Sequence, residues 1–180
     1  MTGWENATIL KGTIDWDDVD TGENGIVDIE GDHYDHLNGS PFLSIDETYS
    51  STSPDLWVVN PDPGPFSADF DPVSGTNVFS AALPSSPQGI LTIEFDTTMY
   101  SFSTWFLDVE GDYANTGIKI NGQGPLYSFS SNQGDDTQSF LGVIDSEGFD
   151  SVEIHMGING ANGIGIDDIS YGVVPAPGAV

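Results

Sequence analysis

Short runs in which apolar and polar residues alternate recur along the whole chain, and nowhere does an apolar stripe of helical spacing run for three turns. In residues 90–96, Leu91, Ile93 and Phe95 share one parity while Thr92, Glu94 and Asp96 share the other. A strand turns successive side chains to opposite faces, so this pattern gives one dry face and one wet face. Gly, Pro, Asn and Asp separate the runs, as turns require. These features predict an all-β fold. Strands are expected over 12–16, 25–30, 42–46, 56–60, 77–83, 90–96, 101–109, 117–121, 126–131, 138–144, 149–156 and the last stretch, 163–172. Phe102 and Phe106 oppose Trp105, Leu107 and Val109 in parity, which suits a central strand buried on both faces. Pro61-Asp62-Pro63-Gly64-Pro65 ends the strand before it, because proline has no ladder donor. These short strands at regular spacing indicate a two-sheet antiparallel β-sandwich of jelly-roll type, its first and last strands close together. A chain of 180 residues suits one such domain over 1–172, followed by a short tail over 173–180.

The last strand carries a phase conflict. Ile164 and Ile166 have one parity, Ile169 and Tyr171 the other. Either both faces are buried, or an extra residue near Asp167-Asp168 resets the alternation as a β-bulge does. Both solutions bring a carboxylate close to the interior, where an isolated charge costs several kcal/mol or more. The chain has no Arg, and its only lysines are Lys11 and Lys119, which favours a cation from solution as the partner. Backbone hydrogen bonds in a turn are the alternative.

The tail carries a resemblance. A strand ending Ile166-Asp167-Asp168-Ile169-Ser170-Tyr171-Gly172 and followed by Val174-Pro175-Ala176-Pro177 resembles the C-terminal end of bacterial exported proteins of the PEP-CTERM type. In that family a Val-Pro-x-Pro element opens a sorting signal, a transmembrane helix and an Arg-rich end follow, and an exosortase processes the product. Ala176 stands where Glu is commonest, and the sequence stops at Val180 before a hydrophobic span, as a processed form lacking the anchor would. Thr13-Ile14-Asp15-Trp16-Asp17-Asp18-Val19, residues 34–38, Ser74-Gly75-Thr76-Asn77, Ile93-Glu94-Phe95 and Phe149-Asp150-Ser151-Val152 are similar in order to such ectodomains. The resemblance implies an extracellular or cell-surface location, a sorting enzyme as a partner and an association with exopolysaccharide.

The formal charge of -27 excludes an electrostatic nucleic-acid binder and argues against anionic membranes. Aromatic content and alternation argue against disorder despite that charge. The 29 acids are mostly Asp, which fits turns and oxygen-ligand sites better than helical surfaces, and fits a saline habitat as well. With no Cys there are no disulfides, thiolate metal sites or cysteine nucleophiles. Neither a signal peptide at Met1 nor a membrane-spanning apolar run is visible, so no membrane insertion is expected of this chain.

Structural calcium is the expected cofactor, because clustered carboxylates suit a hard cation with six to eight oxygen ligands. Three clusters compete for it. Asp15, Asp17 or Asp18 could pair with Asp167 or Asp168, positions similar to the shared calcium acids of jelly-roll carbohydrate-binding modules. Asp108, Glu110 and Asp112 alternate and so project to one side; Asp28, Glu30, Asp32 and Asp35 form the third group. A solvated acidic edge is the alternative for each. Calcium would raise the thermal midpoint, and Asp168→Ala would remove most of that response. His33 and His36 are read as surface histidines rather than zinc ligands, for want of a third ligand and a helix to hold both rings. His155 has the parity opposite Val152, Ile154 and Met156 and is expected to face solvent.

Paired carboxylates could build a glycoside hydrolase, but sequence shows no separation, and no Gly-x-Ser-x-Gly elbow or phosphate loop is present. Binding is preferred to catalysis. Sugar rings stack on flat aromatic faces, and Trp57, Trp105, Tyr113 and Tyr127 are the candidates. The function expected is a secreted or surface binding and adhesion module for an extracellular polysaccharide or matrix component. A purely structural matrix protein is the first alternative, and a carbohydrate-active hydrolase the second.

Overall fold

A computed structural model describes residues 9–14, 16–17, 26–28, 43–47, 56–59, 71–81, 89–109, 111, 113–134, 137–157 and 164–173. For 9–11, 26–28, 43–47, 56–59, 81, 89 and 96 it describes the backbone alone. Among the described residues ten strands are formed: β1 (Ile9–Ile14), β2 (Ile26–Asp28), β3 (Leu43–Glu47), β4 (Leu56–Val59), β5 (Val78–Ala81), β6 (Gly89–Leu107), β7 (Gly117–Ile120), β8 (Gln123–Ser128), β9 (Gln138–Met156) and β10 (Ile164–Val173). A 3-10 turn, Tyr113–Asn115, precedes β7. All pairings are antiparallel. The hydrogen-bonded order is β2-β4-β5-β10-β6-β9-β7-β8, with β1 also on β10 and β3 also on β6.

The all-β expectation holds, but the ladder is one continuous sheet, and two pairs of expected strands are fused. Residues 90–96 and 101–109 fall largely within the single strand β6, and 138–144 and 149–156 within β9. Their polar middles pair instead of turning away. From Glu94 to Met99 β6 advances five residues while β9 advances two, from Ser151 to Phe149; from Met99 to Ser101 β6 advances two while β9 advances five, to Ile144. These opposed irregularities shift the phase. Leu91, Ile93 and Phe95 point inward before the middle, and Phe102 and Phe106 after it.

The shift lets the two halves of the long pair share one core. Phe95, from the first half of β6, packs against Tyr171 of β10 at 5.2 Å and against Phe149 at 6.2 Å. Phe129, just beyond β8, meets Phe106 edge-to-face at 5.3 Å, although β9 and β7 lie between their strands in the sheet. The sheet therefore curls round one core, as a sandwich does. Each buried Phe or Ile contributes roughly 1.5–3 kcal/mol. The β7–β8 hairpin turns on Asn121 and Gly122, both at positive φ (51° and 60°), the geometry of a type I′ turn that Asn-Gly favours. As a result β8 begins earlier than the 126–131 strand expected.

Candidate functional site at the last-strand bulge

One edge of β10 is shared by two strands. Its second half pairs with β1 as far as Ile14↔Ile169, and its first half pairs with β5 from Ile166↔Phe79 onward. Asp167 and Asp168 lie at the handover. On the other edge β6 registers Asp167↔Trp105 and Ser170↔Ser103, so β10 carries one residue more than its partner. This is the β-bulge, one of the two solutions open to the isoleucine phase conflict, with Asp168 at φ 48°. Ile164, Ile166, Ile169 and Tyr171 are consequently all buried. Thr104 Oγ1 donates to the Asp167 carbonyl at 2.8 Å, supplying a bond where the ladder is interrupted.

Two segments fill the handover. Trp16 leaves β1 at φ 63°, and its fully buried ring stacks on Phe79 at 5.0 Å. Its carbonyl accepts from Asn77 Nδ2 at 3.0 Å. The second segment is the irregular stretch 71–77 that leads into β5. Four of its backbone N–H groups point at carboxylates from the chain's two ends. Val73 and Ser74 donate to Asp167 Oδ2 (2.8 and 3.2 Å), while Thr76 and Asn77 donate to Asp17 Oδ1 (2.7 and 3.0 Å). Ser74 Oγ donates to Asp168 Oδ1 at 2.6 Å, and the Asp168 N–H to Asp167 Oδ1 at 2.8 Å. Gly75, at φ 57°, passes so close to Asp17 that a Cβ would fall on its carboxylate. Gln138 Nε2 ties the outer end through the carbonyls of Asp71 and Pro72.

Asp167 is fully buried. Burial raises its pKa to about 6, with the Asp168 charge adding to the rise and the N–H bonds from Ser74, Asp168 and Val73 opposing it. Burial also raises the Tyr171 hydroxyl.

Of the expected calcium acids, the fold gathers Asp17, Asp167 and Asp168 on one seven-residue strap, while Asp15 and Asp18 lie outside the described residues. Both Asp167 oxygens accept backbone N–H groups, Oδ1 from Asp168 and Oδ2 from Val73 and Ser74. Among the described residues, no three Asp, Glu or His side chains are placed to hold a metal ion. In the second cluster Asp108 is buried, at φ 59°, and Glu110 and Asp112 are outside the described residues. The third cluster contributes only the Asp28 backbone; Glu30, Asp32, His33, Asp35 and His36 lie outside. His155 is not turned to open solvent as expected: its side chain is 12% exposed and bonded to Glu153 at 2.7 Å, with Lys119 on the same carboxylate at 3.7 Å.

No family model, curated protein or solved structure matches this chain.

The four candidate aromatics are dispersed. Trp57 is on β4 with its side chain outside the description, Tyr113 packs on the core, and Tyr127 is 42% exposed on β8. Trp105 lies on the face of β6 opposite the core residues Phe102 and Phe106 and meets Phe140 edge-to-face at 5.3 Å. Sequence reasoning missed Phe140. It also missed the strap, whose signal was the Ser-Gly-Thr-Asn turn at 74–77.

Proposed function

We propose that this chain is a secreted or cell-surface sandwich of jelly-roll type that works by binding an extracellular polysaccharide or matrix polymer. The observation that carries the reading is the outer-face ring pair. Trp105 and Phe140 are direct register partners, both half-buried, and β9 continues along the same face through exposed Gly142 to Ile144, 47% exposed. A partly exposed aromatic and aliphatic strip of this kind suits the apolar face of a sugar ring. A charge of -27 favours an uncharged polymer over an acidic one. The pairing of β1 with β10 supports the jelly-roll topology, and the Val174-Pro175-Ala176-Pro177 resemblance supports export and sorting.

Neutral polysaccharides should retain the protein, and Trp105→Ala should weaken that retention by roughly tenfold, about 1.4 kcal/mol. Affinity electrophoresis would measure it, with Trp105→Phe recovering part of the loss. Release of shortened sugars would instead indicate a hydrolase. Equal mobility with and without every polymer, together with self-assembly, would indicate a structural protein.

A further inference from the structure

We propose that the second half of β10, with Phe79 and the 74–77 end of the strap, is a strand-acceptor site that reads the pattern Gly12-x-Ile14-x-Trp16-Asp17. It is filled within one chain by that chain's own β1, and between chains by β1 of a second copy. The backbone edge comes from β10, which pairs with β1 from Ile9↔Val173 to Ile14↔Ile169, on the side that β5 occupies only as far as Ile166. An extended segment added to such an edge gains affinity from main-chain bonds and specificity from its alternate side chains.

Four positions are read, each for a different physical reason. Position 12 must be glycine, because a Cβ there would fall on the Tyr171 hydroxyl. Ile14 enters the core opposite Ile169, and both are buried. Position 16 takes a large flat ring: the Trp16 indole has no exposed surface and stacks on Phe79 at 5.0 Å. Asp17 Oδ1 accepts from the Thr76 and Asn77 N–H groups at 2.7 and 3.0 Å, beside the bond from Asn77 Nδ2 to the Trp16 carbonyl.

These contacts are long-range. The hydrogen-bond partners of Trp16 and Asp17 given above lie 59 to 61 positions along the chain, and the pairing partners of β1 are in the last strand. The segment therefore recognises a surface built by distant residues, and the same segment on another molecule makes the same contacts. Every copy carries both halves. In an exchanged pair each β1 lies on the other copy's β10, a two-fold arrangement that repeats the resident contacts twice. Concentration decides how much of it forms, since a tethered segment competes at an effective concentration in roughly the millimolar range. The charge of -27 on each copy opposes the encounter, and salt screens it.

The test uses the full chain, with a fluorescent synthetic peptide of sequence Ile9–Asp17 as the probe. Trp16→Ala and Asp17→Ala chains keep the acceptor and weaken the resident strand, so each should bind the peptide about tenfold more tightly than the unaltered chain does. Asp17→Ala leaves the core filled and serves if Trp16→Ala fails to fold. Peptides carrying Gly12→Ala or Trp16→Ala should lose this binding. The unaltered chain, refolded at about 1 mM in about 1 M salt, should sediment partly as a dimer that excess peptide suppresses. Peptide binding that is absent, equal in all three chains, or indifferent to Gly12 and Trp16 overturns the acceptor site. A chain that stays monomeric, or a dimer that excess peptide leaves intact, overturns exchange between copies.

Discussion

Replacing Trp16 by alanine is expected to lower stability by about 3–5 kcal/mol, the cost of emptying a buried aromatic site. The indole has no exposed surface and lies against Phe79 at 5.0 Å and 29°, joining the end of β1 to β5. Its positive φ of 63° costs an L-residue roughly 1–2 kcal/mol, a strain that persists only where packing over-determines it. Without the ring the chain loses its reason to turn there, and the Asn77 bond to the Trp16 carbonyl goes with it. For a chain of this length the loss corresponds to roughly 6–20 °C in thermal midpoint. Trp16→Phe should restore more than half. A shift of about 2 °C or less in the alanine variant would show that the ring is not part of the core.

Gly75→Ala should cost about 2–4 kcal/mol, although it adds a single methyl group to an exposed turn. Part of the cost is the left-handed backbone at φ 57°, roughly 1 kcal/mol for a residue with a Cβ. The larger part is displacement of the Asp17 carboxylate, which would forfeit the bonds from Thr76 and Asn77. Gly75→Asn separates the two causes. Asparagine tolerates the left-handed region but carries the same Cβ, so it should be nearly as damaging as alanine. In an Asp17→Gly background the collision is gone, and Gly75→Ala should then cost only the backbone share. Denaturant unfolding measures both. Additive effects of the two substitutions would contradict the contact.

The bulge was one of the two readings the sequence allowed, because the period of a strand is rigid: Ile164, Ile166, Ile169 and Tyr171 can share one face only with an extra residue between them, and burial of both faces was the other. The expectation that the first and last strands lie close together agrees with the pairing of β1 and β10, the first and last of the described strands. The fusion of strands into β6 and β9 was not legible. Asp96-Thr97-Thr98 reads as a turn, and nothing local shows that 145–148 bulges opposite it so that the pair continues. The Asn121-Gly122 signal was present, yet the expected strands, 117–121 and 126–131, left Gly124-Pro125 between them. β8 ends the sheet order, and an edge strand tolerates a proline. At the site, the sequence brought Asp17, Asp167 and Asp168 forward but not the strap whose groups they accept from. Val73 reaches Asp167 across 94 positions, and a backbone donor carries no mark in the sequence.

The central claim is that carboxylates from the two ends of the chain hold an irregular strap by its backbone, and amide hydrogen exchange at neutral pH tests it most directly. Val73, Ser74, Thr76 and Asn77 should exchange slowly although none lies in a strand, with Asp17→Ala freeing the last two and Asp167→Ala the first two. Exchange of all four in the intact protein at the rate of an open chain would contradict it.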